Sequence, residues 1–270
     1  MEFAIALWTE LRKQELIIEF KKLLIETNKI CPINYPHKVI IPSNFIEKSN
    51  ELKEIPKSNI VKSEAENINP PMGETFFVED GFIILISPSL CENDNFWCQR
   101  EHTFLHEIYH GNSEIASRHN DLLYYLFDDY CAERFAYQIG NNVIASIDSL
   151  RWEKYIILEF RKRLDEIAKI DSELIKIFIR QNLIVMTDEF GSNLISLFTS
   201  ITMLFATYDQ YKSKFQCTEL SKTPIYDTVN NLMEFFKNKF DLNDNDLSDG
   251  CIKIDSLITN YSEYLELRFK

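Results

Sequence analysis

Apolar residues recur at helical spacing through residues 3–28, with Lys and Glu between them, which predicts an amphipathic helix. Pro32, Pro36 and Pro42 then break helicity around a short strand, "KVIIP". Residues 47–75 are polar and carry Pro56, Pro70, Pro71 and Gly73, the composition of a long loop. In "TFFVEDGFIILISP" two β-rich runs flank Asp80–Gly81, a two-residue hairpin signal. The second run, Phe82–Ser87, is almost wholly apolar, as a strand inside a sheet would be. After Pro88 the period turns helical, with one helix over 99–111 and another over 121–139. From Asp148 onward the pattern is helical, with breaks near Asp171, Gly191, Cys217–Pro224 and Asp241–Gly250. No internal repeat is evident.

Three segments invite a reading that fails. Leu194–Tyr208, "LISLFTSITMLFATY", is too short and too rich in Ser and Thr for a membrane span and reads as a buried helix. "DLNDNDLSDG" lacks both the sixth-position glycine and the closing glutamate of a calcium loop, so it reads as a solvated acidic turn. Trp152, Phe160, Leu164 and Ile167 follow helical spacing and read as core.

Composition sharpens this picture. Among 270 residues there are only six glycines, which favours helix, and 45% are hydrophobic, enough for a sizeable core. The net charge of −13 argues against nonspecific nucleic-acid binding, which rests on Lys and Arg meeting phosphates. Six scattered cysteines with no CxxC pair weigh against a zinc finger and suit a reduced compartment. Met1–Ala6 has no basic n-region, so no secretory signal is expected and a cytoplasmic location is.

The chemistry concentrates in "TFLHEIYHG", Thr103–Gly111, where His106 and His110 are four apart with Glu107 between them. Residues four apart share one helix face, so both imidazoles can reach one metal ion. Glu107 is turned about 100° away, because a helix has 3.6 residues per turn, and can reach a water rather than the metal. A catalytic zinc site needs a third protein ligand and one open position. Ala116, six residues after His110, removes one solution, a third histidine there. His102 shares the face, but three histidines there span about 12 Å at 1.5 Å per residue, too far for one ion. His102 therefore reads as structural or as support for a ligand. The other solution is a carboxylate from "LFDDYCAERFAYQIG", where Asp129 and Glu133 lie four apart. One can bind zinc while the other orients a ligand imidazole. His119, in "ASRHND", is a candidate hydrogen-bond donor to an oxyanion, although a surface-loop histidine is the plainer reading and Tyr109, Tyr124, Tyr125 and Tyr130 are equally available.

Taken together, the hairpin, "REHTFLHEIYHG" with Thr103 three residues before the motif, and "DYCAERFA" with Ala132, Phe135 and Ala136 resemble the ImmA/IrrE family of zinc metallopeptidases. The resemblance covers roughly residues 76–140. It implies a zincin-like domain over 1–146, with His106, His110 and Asp129 as zinc ligands and Glu107 as general base. The family's ligand glutamate falls on Asp129, its intermediate glutamate on Cys131 and its asparagine on Glu133, which leaves Glu133 as an alternative third ligand. The expected fold is α+β and mostly helical. A small antiparallel sheet packs on the HExxH helix, and a helical module of unassigned role covers 147–270. The resemblance further implies cleavage of a protein partner, a helix-turn-helix repressor. The family's common DNA-binding helix-turn-helix is not recognisable here, and the charge and the absence of a spanning stretch argue that neither nucleic acid nor membrane is bound directly. A peptide would add to a sheet edge offered by Phe76–Val78 or Ile83–Ile86. The alternative is a metal-binding module that acts by holding a partner, as in a toxin–antitoxin pair. A zinc hydrolase acting on something other than peptide is a third.

Overall fold

The computed structural model describes residues 1–6, 8–53, 72–79, 81–113, 122–181, 188–211, 215, 221, 226–237 and 244–269. A four-stranded sheet has the order β1 (Glu2–Ile5), β2 (Lys38–Ile41), β4 (Gly81–Ile86), β3 (Gly73–Val78). It is mixed rather than antiparallel. The hairpin β3–β4 is antiparallel, but β1 and β2 join it as parallel strands, Phe3 facing Val39 and Val39 facing Ile84. Parallel addition follows from the connection, since a helix, α1 (Glu10–Ile30), returns the chain between β1 and β2.

That arrangement corrects the predicted helix over 3–28. Residues 3–5 are strand, and Ala6 N–H still donates to Ile41 O at 2.9 Å. The helix begins after Thr9, whose hydroxyl accepts from Arg12 N–H. The predicted loop over 47–75 is likewise divided. Phe45–Lys53 forms α2, Asn44 Oδ1 accepting from Glu47 N–H at 3.3 Å, and β3 starts at Gly73. At the hairpin Gly81 takes φ +137°, open to glycine alone at little cost.

Period-two alternation sorts the sheet into two faces. On one, Ile40, Phe76, Ile83 and Leu85 pack with Phe45 and Leu52 of α2. On the other, Gly73, Thr75 and Phe82 meet α3 (Trp97–Asn112). Gly111 lies so close to Phe82 that a β-carbon there would stand 2.2 Å from the ring. β4 runs between β2 and β3, which is why Phe82–Ile86 is apolar without alternation and buried throughout. Behind α3, Phe20 of α1 packs at a tilt against Phe104, ring centres 4.5 Å apart. Buried Arg100 grips Glu19 with two nitrogens at 2.6 and 2.7 Å and donates to Leu90 O at 3.0 Å. This bidentate pair fixes α3 along α1.

The chain continues as α4 (Leu122–Asn142), α5 (Ile144–Ile147), α6 (Ser149–Gln181), α7 (Asp188–Gln210), α8 (Tyr226–Lys237) and α9 (Asp244–Phe269). Among the described residues, those up to 113 and Cys131–Ile157 form one compact unit, and 122–130 with those from Leu158 onward form another. α4 and α6 are each unbroken helices through that division. In the second unit, Asp171 does not break α6: it is buried and accepts from Tyr261 Oη at 2.8 Å. Gly191 and Gly250 lie inside α7 and α9, and Leu123 occupies the space a β-carbon on Gly250 would need. At Gly250 packing outweighs the roughly 1 kcal/mol that glycine costs a helix. The break at Cys217–Pro224 falls largely outside the described residues. The apolar stretch Leu194–Tyr208 lies in α7, with Leu197, Phe198, Ile201 and Leu204 buried, and no described helix is long and apolar enough to cross a membrane.

Candidate metal centre

Phe104, Leu105 and Ile108 anchor α3 in the core, and this sets which way the opposite side of the helix looks. That side carries His102, His106 and His110 at intervals of four. α4 answers with Asp129, Glu133 and Tyr137, also at intervals of four. The two rows meet in opposite directions. His102 packs at a tilt against Tyr137 with 4.4 Å between ring centres, and His106 Nδ1 lies 3.1 Å from Glu133 Oε2. His106, His110 and Asp129 bring one potential ligand atom each to within 4.8 Å of one another.

The donor atoms are arranged as a metal site requires. His106 Nε2 and His110 Nε2 stand 2.9 Å apart. Two nitrogens on one zinc ion, each bonded at about 2.0–2.1 Å in tetrahedral geometry, would stand about 3.3 Å apart. Only a small movement is needed to admit an ion between them. Glu133, 1% exposed, takes the Nδ1 side of His106 and leaves Nε2 toward the cluster. Glu133 thus stands behind His106, and Asp129 stands with the potential ligand atoms. The set of two imidazoles and one carboxylate suits a divalent metal that accepts nitrogen and oxygen, with a position left open.

Glu107 is buried on the adjacent side of α3, toward the sheet. Its Oε2 accepts from Thr75 Oγ1 at 2.9 Å. Gly73 passes just as close: a β-carbon there would meet Glu107 Cγ at 2.8 Å and Oε1 at 2.9 Å. β3 therefore runs directly past the candidate base. The same strand carries Glu74 on its other face, where Ser49 donates to it; burial, aided by the charge of Glu107, holds the Glu74 carboxyl above its ordinary range.

Thr75 and Gly73 escaped the sequence reading, because nothing local in "GETFFV" shows that this strand lies against α3. The role of His102 was half visible in its four-residue spacing from His106. His119 lies outside the described residues. Of the alternative donors, Tyr109 faces Phe135 at 5.6 Å, and Tyr130 Oη donates to Asp209 at 2.5 Å, so it is already engaged.

Comparison of the chain with known family models, curated proteins and solved structures finds no match.

Proposed function

We propose that this chain is a zinc-dependent endopeptidase that cuts a protein partner. One observation carries the reading: the paired Nε2 atoms of His106 and His110 converge with Asp129, while Glu107 lies beside strand β3. A zinc ion held by His106, His110 and Asp129 would polarise a peptide carbonyl and acidify a water molecule.

The remaining roles belong to the chain. Glu107 accepts a proton from the attacking water and returns it to the departing amine; among the described residues no other carboxylate shares its contact with Thr75. Thr75 Oγ1 lies 2.9 Å from both the Oε2 atom and the backbone carbonyl of Glu107, and its one proton, given to Oε2, holds the carboxylate in one orientation. A peptide adds to β3 as a further strand, because β3 is an outer strand among the described residues and β4 is not. This leaves Phe76–Val78, rather than Ile83–Ile86, as the edge that takes substrate. The net charge of −13 suits a basic partner such as a DNA-binding repressor.

Metal analysis of purified protein tests the site: about one zinc per chain, lost in His106→Ala or His110→Ala, is the expected result. Glu107→Gln then keeps the metal and lowers the cleavage rate by about 10²–10⁴-fold, the usual share of a general base. A protein without zinc, or a Glu107→Gln variant that cuts normally, refutes the proposal. A second reading, a module that holds a partner without cutting it, draws on the replacement of the family's ligand glutamate by the shorter Asp129. Recovery of an intact partner, equally by wild type and Glu107→Gln, is its signature.

A further inference from the structure

Glu133 has a second neighbour that the peptidase reading does not use. Its Oε2 faces His106 Nδ1 at 3.1 Å, and its Oε1 lies 3.8 Å from His102 Nε2. One buried carboxylate thus stands between two imidazoles from successive turns of α3. The second distance is longer than a hydrogen bond; it is a polar contact, and an ion pair only when His102 is protonated.

His102 is itself held on several sides. Tyr137, Tyr155 and Trp152 place their ring centres 4.4, 5.6 and 6.1 Å from its own. Trp152 is fixed in turn, its indole N–H donating to Asn141 Oδ1 at 2.9 Å. It fits there because residue 140 is glycine: a β-carbon would come within 2.4 Å of the indole. A glutamate side chain turns about three bonds, so one contact on one oxygen leaves it free to swing. A polar neighbour beside each oxygen narrows that freedom, and a carboxylate accepts hydrogen bonds without donating them. A proton on His106 Nδ1 satisfies Glu133, and the lone pair then sits on Nε2, toward His110 and Asp129.

We propose that His102 is a positioning residue for the metal centre: through Glu133 it holds His106 in the Nδ1-protonated tautomer, with the Nε2 lone pair turned to the ligand cluster. This rests on the metal-centre reading above, but its first test needs no metal.

The test uses the full chain with ¹⁵N-labelled histidine. In metal-free protein, long-range ¹H–¹⁵N correlations are expected to show His106 as the Nδ1–H tautomer. His102→Phe, which fills the aromatic surround without a ring nitrogen, is expected to give a mixture. His102→Gln, whose amide N–H can take the place of Nε2–H, is expected to restore the wild-type pattern. Chelator competition then reads zinc affinity. His102→Phe weakens it about tenfold, the scale set by partners behind a ligand. Glu133→Met weakens it at least as much, and the double variant is no weaker than Glu133→Met alone, because both act through one carboxylate. Unchanged tautomer and affinity in His102→Phe overturn the proposal. So do effects that add in the double variant, or a His102→Gln variant no better than His102→Phe. A wild-type chain that binds no zinc removes the peptidase reading instead, and the tautomer measurement still decides this one.

Discussion

Glu101 shows how far a single position can govern behaviour away from the candidate metal centre. It is 3% exposed, and its carboxyl is pushed up to about 8, first by burial and then by the charge of Glu19, against the pull of Trp97, Arg100 and Lys22. Its folded pKa lies above its ordinary value of 4.5, so the folded state binds this proton more tightly than the unfolded state. This contribution to stability is full below about pH 4.5 and falls as pH rises toward about 8. Glu101→Gln removes the titration, so thermal unfolding of the variant should lose this part of the slope over that window and melt above wild type at pH 8. Cys91 and Cys98 are governed by burial in the same way, raised to about 12 and about 11. Neither should react with a thiol reagent at pH 7.5 in the folded protein, as mass spectrometry of the labelled chain can check. At the candidate base, Thr75→Val keeps the shape and removes the hydroxyl. Zinc content should be unchanged, and the cleavage rate should fall about tenfold, the value of one lost hydrogen bond of about 1.4 kcal/mol.

At the level of elements, the seam between α3 and the sheet is closed by missing side chains as much as by present ones. Gly111→Ala drives a β-carbon into the ring of Phe82. It should cost about 1–3 kcal/mol in denaturant unfolding, the usual penalty for overpacking. The elements differ in how well the chain announces them. The hairpin, α3 and α4 were legible because their signals are local: Asp80–Gly81 between two apolar runs, and apolar residues at the helical period. β1 was not, because "EFAIAL" has no clear period and only its pairing with Lys38–Ile41 makes it a strand. Asp171 and Gly250 looked like breaks and lie inside helices, since the distant partners Tyr261 and Leu123 decide what they do; Gly191 also lies inside a helix. The same division runs through the site. His106, Glu107 and His110 declare themselves by spacing. Asp129 and Glu133 were visible as a pair, but their separate places depend on how α3 and α4 meet, which no spacing encodes.

For the molecule as a whole, the charge is the one property that acts over distance. An excess of 13 negative charges produces a field felt by any basic partner before contact. Association with such a partner should slow by about tenfold or more between 50 and 500 mM salt in stopped-flow measurements, because screening shortens the reach of that field. A rate indifferent to salt would mean that charge plays no part in choosing the partner.

The repeat of four along α3 carries a hidden demand. A shift of this helix by one turn would bring His102 and His106 to the places now held by His106 and His110. Two imidazoles would still face the acidic row, but Thr103 would stand where Glu107 stands, beside β3. On the proposed reading, such a frame-shifted centre could still hold an ion and would have no base. Arg100 clasping Glu19, and Thr75 reaching Glu107, act as index marks that allow one frame only. The reactivity proposed for the centre would thus be a matter of counting turns as well as of choosing ligands.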